Sequence, residues 1–456
     1  MELTIMHYLG MSAALLLVFG LGVYSYSRVK TSEDFSVSSR KSGAVLVAGT
    51  VLGTMVGGAS TVGTAQLAYM YGLSAWWFTL GSGLGCLIFV FFLVRPLRRT
   101  SFETVPQFLA SSYGVKAGVV SALFISAGMF ANVVPQLFSS MALLHSWMPL
   151  DWKYAAAGAV VLMGVYVLLG GMWGTGLMGV SKVVLTLVSL LVAGGVSLFY
   201  MEGFSGMFSS FPVHPWFNLL GRGVNEDLAA AFSMLVGIIT SQIYFQAIFS
   251  ARSIREARKG MGISAAVAPL IGMAGILVGM FMRQVHPGID PSQALPLFIM
   301  HYLPPWFGGV AFATLLLATV GTGAGLALGI STTLSRDIIQ RFSSDAGDRT
   351  MLLIFRLLVV VVLLAALLTV FLSRGEVIIL QWSYFSLGLR GASVAFPLLA
   401  VIFWKDRISA TSGLWALFLG PLVVLSGFVW DYPIDPLYPG LAVSALILLG
   451  GILRKG

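Results

Sequence analysis

Glycines and hydroxyl residues interrupt an uncharged apolar segment near the start of the chain. The stretch Gly53-Thr-Met-Val-Gly-Gly-Ala-Ser-Thr61 carries three glycines, two threonines and a serine, midway along a segment from about residue 43 to residue 71. A glycine inside a helix costs about 1 kcal/mol relative to alanine, and backbone opened in lipid finds no water to pair its polar groups. Such a break is tolerated where it lines a cavity that binds an ion or a solute. This stretch is therefore the first candidate site, with close helix packing through small residues as the alternative.

The chain around this stretch has the composition of a membrane protein. Of its 456 residues, 58% are hydrophobic and 9% are charged, and the mean hydropathy is +0.93, whereas an average soluble domain is about 25% charged. Windows of about 20 apolar residues are long enough to span a bilayer. They predict an all-α polytopic membrane protein with one transmembrane domain, residues 1–456, and thirteen helices at about 4–26, 43–70, 75–95, 117–145, 152–172, 179–200, 227–250, 260–284, 305–335, 350–373, 377–403, 410–430 and 436–453.

Other residue types argue against several functions. A single cysteine, Cys86, excludes a disulfide framework and a thiolate metal cluster. The five histidines have no metal-ligand spacing, and the absence of a phosphate-binding loop argues against an ATP-driven pump. The helices also lack paired carboxylates and a nucleophile with its base. We therefore expect neither an enzyme nor an organic cofactor.

Lysine and arginine set the predicted topology. With the N-terminus outside, 20 of the 26 basic residues fall on inside segments, 4 on outside segments and 2 within helices. Such an asymmetry is a strong topology signal. It predicts a multi-pass protein of the cytoplasmic membrane, with its N-terminus outside and its C-terminus inside. Because the net charge of +9 arises from these flanking residues, we expect lipids as neighbours and no nucleic-acid partner.

Four motifs resemble those of the sodium:solute symporter family. Residues 35–40 (Phe-Ser-Val-Ser-Ser-Arg) resemble its lead-in to the second helix, and residues 63–73 resemble its "G…A-Y-x-x-G-L" segment. Residues 252–260 resemble its "A-R-K-G" loop, and residues 331–340 resemble the end of its ninth helix. Together with the helix number, these motifs cover nearly the whole chain.

The resemblance implies a leucine-transporter-like fold. Residues 43–200 and 227–403 would form two inverted five-helix repeats, with the first helix (4–26) and the last two (410–453) at the periphery. Both predicted repeats begin with an interrupted segment, since the polar sequence Gly237-Ile-Ile-Thr-Ser-Gln242 lies within the seventh helix. Interrupted segments at equivalent positions are the best sequence pointer to a transport site.

The resemblance also implies a sodium site between helices 2 and 9. In similar transporters, backbone carbonyls of both helices and an adjacent pair of hydroxyls on helix 9 bind the ion, as suits a hard cation. The corresponding carbonyls here belong to Gly53, Val56 and Ala318. The hydroxyl pair falls on Gly321 and Thr322. One hydroxyl is therefore missing.

A second departure from the family concerns Lys182. The family usually has an aspartate at the start of helix 6, near the sodium site, whereas this chain reads Ser181-Lys182. A lysine ammonium there would repel sodium by several kcal/mol, could take the place of the ion, and changes protonation readily when buried. Alternatively, Lys182 extends to the cytoplasmic interface and only marks topology.

The solute is expected at mid-membrane between helices 2, 4, 7 and 11. The predicted binding residues are Ser60, Thr61, Gln66, Gln136, Ser241, Gln242 and Tyr244. Interhelical hydrogen bonding is the alternative role for each. Because this set contains no acid and broken helices present positive ends, a small carboxylate or an amino-acid-like molecule is favoured. Arg390, in helix 11, either pairs with a substrate carboxylate or has a structural role.

These features predict a secondary active symporter for a small organic solute, driven by a cation gradient. The resemblance implies sodium as the coupling ion. A proton-coupled or sodium-independent transporter that uses Lys182 is the second hypothesis, and a membrane sensor derived from such a transporter is the third. We expect a monomer, with a dimer left open.

Overall fold

The computed structural model describes residues 4–28, 42–99, 104–148, 150–170, 177–339, 348–373, 377–404 and 407–453. Within these ranges the protein is helical, and the one β-type contact is an isolated bridge between Ser42 and Ala251. The motif at residues 35–40 lies outside them. The α-helices are α1 (Ile5–Arg28), α2 (Ala44–Met55), α3 (Thr64–Tyr71), α4 (Trp77–Ile88), α5 (Val94–Arg98), α6 (Val105–Tyr113), α7 (Val115–Trp147), α8 (Trp152–Gly170), α9 (Leu177–Tyr200), α10 (Gly203–Ser210), α11 (Val213–Trp216), α12 (Val224–Ile239), α13 (Gln242–Ser250), α14 (Ile254–Val285), α15 (Ala294–Tyr302), α16 (Pro305–Thr333), α17 (Asp348–Leu372), α18 (Ile379–Trp404), α19 (Ala410–Ser426) and α20 (Leu437–Leu453).

The long helices are apolar enough to cross a membrane. Seven helical stretches of the described residues meet this criterion by length and composition, or eight if the bent pair α12 and α13 forms one span. Five further apolar helices are shorter, among them α2 and α8. Each of the thirteen predicted segments contains a helix or a helix pair. The all-helical membrane class is confirmed, and the count of thirteen spans stays a prediction.

Two predicted helices are interrupted where polar residues lie in their midsections. Between α2 and α3, residues 56–58 leave the helix and residues Ala59–Gly63 form a π-helical turn. Between α12 and α13, Thr240 and Ser241 interrupt the helix, and the helix axis bends by 42°. Both breaks fall on the glycine- and hydroxyl-rich stretches of the sequence.

Small residues allow the helices around the first break to approach closely. Helix α9 packs against both α2 and α16. A Cβ added to Gly53 of α2 would lie 3.0 Å from the Cα of Gly179 in α9. This crossing brings Lys182, one turn further along α9, toward the break. Helix α7 packs between α16 and α18, so its polar residues face both.

The two broken segments are joined on the side predicted to be cytoplasmic. Ser42 donates its amide to Ser250 O over 3.0 Å, and Arg252 donates its amide to Ser42 O over 2.9 Å. The Glu256 carboxylate accepts the Ala44 amide over 2.8 Å, where an acidic group also offsets the dipole of α2. The start of α2 is therefore tied to the end of α13.

Candidate functional site

At the first break, side chains accept hydrogen bonds from backbone amides that have no partner within the helix. Val56 has an extended backbone conformation and ends α2. Gly57 donates its amide to Ser60 Oγ over 3.1 Å, and Gly58 donates its amide to Gln136 Oε1 of α7 over 2.7 Å. Because a buried unpaired amide costs about 1–3 kcal/mol, these acceptors stabilise a backbone that lipid alone would not allow.

The hydroxyls beside the break bond to its carbonyls. Thr61 Oγ1 donates to Gly57 O over 2.8 Å, and Ser60 Oγ also contacts that carbonyl over 3.1 Å. Both side chains are fully buried. Ser60 and Thr61, which were predicted to bind solute, thus have internal partners that fix the shape of the break.

Lys182 extends from α9 into the space between the first break and α16. Its Nζ lies 3.0 Å from Thr322 Oγ1 and 3.4 Å from Ala318 O. Thr322 Oγ1 in turn donates to Val56 O over 3.4 Å. The structure therefore brings together four of the six residues predicted for the cation site, with the ammonium among the oxygens.

The other two residues predicted for the cation site, Gly53 and Gly321, are glycines and offer no side-chain oxygen. Gly53 forms the crossing with α9, and Gly321 faces the ring of Tyr166, whose hydroxyl would lie 3.3 Å from a Cβ added to Gly321. Thr319 does not replace the missing hydroxyl, because it contacts Ser140 Oγ over 2.8 Å and donates to Leu316 O over 2.9 Å. A sodium ion at this position would therefore have one side-chain hydroxyl as a ligand, that of Thr322. The carbonyls of Ala318 and Val56 are already bonded to Lys182 and Thr322.

The predicted solute residues of the second break have varied surroundings. Ser241 donates its hydroxyl to Gly237 O over 2.8 Å within the helix. Gln242 Oε1 accepts the Val105 amide over 2.8 Å, at the start of α6. Tyr244 is 4% exposed, and its hydroxyl has no hydrogen-bond partner among the described residues.

Gln66 ties the first broken segment to helix α18. Its Nε2 donates to Val377 O over 2.8 Å, and its Oε1 accepts the Ile379 amide over 2.9 Å. Both the donor and the acceptor of the Gln66 side-chain amide are thereby hydrogen-bonded to backbone at the start of α18. Sequence reasoning could not distinguish this capping role from solute binding, since either needs a polar residue in an apolar segment.

A polar row on α7 faces the first break and α18, and only part of it was predicted. Gln136 reaches Gly58, Asn132 Oδ1 lies 3.5 Å from Ser383 Oγ, and Gly128 O accepts the Ser386 hydroxyl over 2.6 Å. Positions 128, 132 and 136 are four residues apart and so share one helix face. That spacing is the sequence signal that could have identified the row.

Solved transporters share this fold. A substrate-bound, outward-open Na+-coupled sialic acid symporter superposes with a TM-score of 0.78 at 17% identity, covering 99% of this chain and 97% of that chain. A nucleobase-cation-symport-1 family transporter, in a closed conformation with bromovinylhydantoin bound, superposes with a TM-score of 0.60 at 15% identity, covering 92% of this chain and 94% of that chain. The chain therefore has the leucine-transporter-like fold of these structures.

Sequence comparison identifies the family within that class. A model of the sodium:solute symporter family matches residues 35–420, and the chain belongs to this family. An uncharacterized symporter, YwcA of Bacillus subtilis (strain 168), is 24% identical over 454 residues, 91% of this chain and 86% of that protein. A sodium/proline symporter of Staphylococcus aureus (strain USA300) is 23% identical over 475 residues, 96% and 91% of the two chains. The predicted family, and a transporter in place of an enzyme, are confirmed.

Proposed function

We propose that the protein takes up a small organic solute by alternating access and that a proton carried by Lys182 replaces sodium as the coupling ion. The observation that carries this proposal is the position of the Lys182 ammonium, 3.0 Å from Thr322 Oγ1 and 3.4 Å from Ala318 O. These are two of the oxygens that the family resemblance assigns to sodium. The topology that goes with this function has the N-terminus outside and the C-terminus inside, in the cytoplasmic membrane, with the protein as a monomer.

Electrostatics favours the lysine over an added metal ion. An ammonium presents three N–H donors to oxygen acceptors, and Ala318 O and Thr322 Oγ1 accept two of them. Two like charges 4 Å apart repel by about 4 kcal/mol at an effective dielectric constant of 20. Sodium would therefore bind beside a charged Lys182 with a large loss of affinity.

The hydrogen-bond network suggests how a proton would act on the helices. Charged Lys182 links α9 to α16, and Thr322 continues the link to Val56 at the first break. Loss of the proton removes the charge, and hydrogen bonds from a charged donor are roughly twice as strong as neutral ones. The link therefore weakens when Lys182 is neutral, which frees α2 and α3 to move relative to α16.

Sodium coupling is the second candidate. The family name and the relatives named as sodium/proline symporters favour it, and Val56 O, Ala318 O and Thr322 Oγ1 lie in one network. Sodium coupling requires the Lys182 side chain to move away from Thr322 Oγ1 and Ala318 O. Direct measurement of sodium binding separates the two candidates.

The experiment uses purified protein in detergent and in proteoliposomes. Binding of radiolabelled sodium is measured between pH 5 and pH 9, and uptake of a panel of radiolabelled amino acids and small carboxylates is driven by either a sodium or a pH gradient. The proposal predicts no saturable sodium binding and uptake driven by the pH gradient. Strong sodium-driven uptake that survives Lys182→Ala would overturn proton coupling, and the absence of concentrative uptake in either gradient would favour a sensor.

A further inference from the structure

Two neighbouring helices bring exposed basic side chains together on the side predicted to be cytoplasmic. Helix α5 ends one apolar span, α14 begins another, and the two helices contact each other. The basic side chains at this junction are all exposed to solvent: Arg95, Arg99, Arg252, Arg255, Arg258 and Lys259. We call these six residues the basic surface.

A hydrogen bond joins the two halves of the basic surface. Arg98, directly before Arg99, donates Nη2 to Ala251 O over 2.7 Å. Ala251 directly precedes Arg252, where the chain enters α14. The bases of α5 and those of α14 therefore lie beside each other, although about 150 residues separate them in the chain.

The positive charge of this surface exceeds the negative charge available within the two helices. Glu256 is the one acidic residue of α5 and α14. Its carboxylate accepts the Ala44 amide over 2.8 Å and lies 3.5 Å from Arg252 Nη2. Because Glu256 is already used in this way, the remaining bases need an anion from outside these helices.

The first two turns of α14 place like charges close together. Arg255, Arg258 and Lys259 are three and four residues apart, a spacing at which like charges repel on a helix. They also lie near the positive end of the helix dipole, which disfavours bases. None of the three forms an ion pair in the part of the chain that the structure describes. A bound anion would offset both unfavourable terms.

Exposed apolar side chains lie about one helical turn deeper than these bases. Phe91 and Phe92 are 66% and 62% exposed and precede Arg95 by four and three residues. On α14, Ile263 is 39% exposed and follows Lys259 by four residues. Four residues of helix span about 6 Å, so both helices present bases at the level of lipid headgroups and apolar groups at the level of acyl chains. A soluble anion would leave the phenyl rings without a partner.

We propose that the basic surface binds the phosphate of an anionic phospholipid of the cytoplasmic leaflet and that this lipid stabilises the closed contact between the two broken segments. Anionic lipids attract clustered lysine and arginine at the membrane surface, and arginine binds phosphate through paired N–H donors. Arg98 holds Ala251, and Ala251 forms the bridge with Ser42. A phosphate shared by the bases of α5 and α14 would therefore hold the backbone of that bridge in place.

The first test measures lipid binding to the purified full-length protein in detergent by thermal unfolding. The probes are phosphatidylglycerol, phosphatidylcholine with the same acyl chains, inorganic phosphate and polyglutamate, at matched ionic strength. We expect phosphatidylglycerol alone to raise the unfolding temperature. The double variant Arg255→Gln with Arg258→Gln should bind it about fivefold more weakly for each charge removed, or about 25-fold in all.

Two controls accompany this variant, and both keep the fold because the changed residues are exposed. Arg255→Lys with Arg258→Lys retains the charge and should retain most of the affinity. Lys116→Gln with Arg407→Gln removes two exposed charges elsewhere on the same predicted side and should bind as wild type. Equal stabilisation by phosphatidylcholine, the same effect from inorganic phosphate or polyglutamate, or full affinity after Arg255→Gln with Arg258→Gln would each overturn the lipid site.

The second test asks whether the lipid stabilises the closed contact. Ser42→Cys with Ala251→Cys, in a Cys86→Ala background, is reconstituted in phosphatidylcholine vesicles with and without phosphatidylglycerol, and the rate of disulfide formation is measured. We expect faster cross-linking with phosphatidylglycerol, and we expect Arg255→Gln with Arg258→Gln to remove the difference. Equal rates in the two kinds of vesicle, or a difference that persists in this variant, would overturn the stabilising role of the lipid.

Discussion

Lys182 Nζ lies 3.0 Å from Thr322 Oγ1, which joins a basic residue of α9 to the helix that the family resemblance assigns to sodium. The threonine hydroxyl continues to Val56 O over 3.4 Å. The Lys182 side chain therefore links α9 directly to α16 and, through the Thr322 hydroxyl, to the end of α2. A lysine that only marked the membrane interface would instead point its ammonium toward water.

Removing the titratable group should uncouple uptake from the pH gradient. One pH unit corresponds to about 1.36 kcal/mol, or about tenfold accumulation when one proton accompanies each solute. In proteoliposomes we expect Lys182→Gln to abolish this accumulation while exchange of labelled for unlabelled solute continues. Lys116→Gln, at the exposed start of α7, is the matched control and should accumulate solute normally. Proton-driven accumulation by Lys182→Gln at the wild-type level would contradict the prediction.

Restoring the family residues should create a sodium site. The double variant Lys182→Asp with Gly321→Ser replaces a base with an acid and supplies the second hydroxyl, which together suit a hard cation. We expect saturable binding of radiolabelled sodium that is about tenfold tighter than in either single variant. A Cβ added to Gly321 would lie 3.3 Å from the ring of Tyr166, so in the variant that ring must shift slightly. Sodium binding no better than in wild type would show that Lys182 and Gly321 do not set the ion preference.

Loss of the Gln136 acceptor should destabilise the first break. Gln136→Leu keeps the approximate volume but leaves the buried Gly58 amide without its 2.7 Å partner, a loss of about 1–3 kcal/mol. Denaturant unfolding of the purified protein should report this change. Gln246→Leu, at an exposed position of α13, provides the comparison and should be neutral. Equal stability of the two variants would mean that the Gly58 amide donates to another acceptor when Gln136 is replaced.

A covalent link across the two broken segments should arrest transport. Ser42 and Ala251 form a parallel bridge, and bridged backbones lie about 4.8 Å apart, within the range that a disulfide needs. In a Cys86→Ala background, we expect Ser42→Cys with Ala251→Cys to lose uptake on oxidation and recover it on reduction. The two single-cysteine variants should be unaffected by either treatment. Full uptake by the cross-linked protein would show that this contact does not open during the cycle.

The sequence was sufficient to locate the breaks but not to orient the side chains around them. Glycines and hydroxyls mark unwound backbone because they weaken a helix locally, so residues 53–61 could be recognised from composition alone. Whether Lys182 points inward depends on the rotation of α9 against α2, which the Gly53–Gly179 contact fixes. That contact joins residues 126 positions apart in the chain, and no local pattern reports it.

Polar residues within the helices were equally hard to assign. Thr319 and Thr322 are both buried threonines of α16, yet one bonds to Ser140 and the other to Lys182. Gln66 and Gln242 were both predicted to bind solute; the structure shows each of them hydrogen-bonded to backbone at a helix start, and solute binding stays a prediction for both. Their roles depend on which neighbour faces them, and that is decided by tertiary packing.

Attachment of the Lys182 ammonium to α9 also has an ecological consequence. A tethered group has an effective concentration at its site that is fixed by the chain and independent of the surrounding medium. A carrier that holds an amine at these oxygens would need to take up a proton from outside, but no metal cation. Solute uptake would then depend on the pH of the habitat and would be the same in fresh water and in brine.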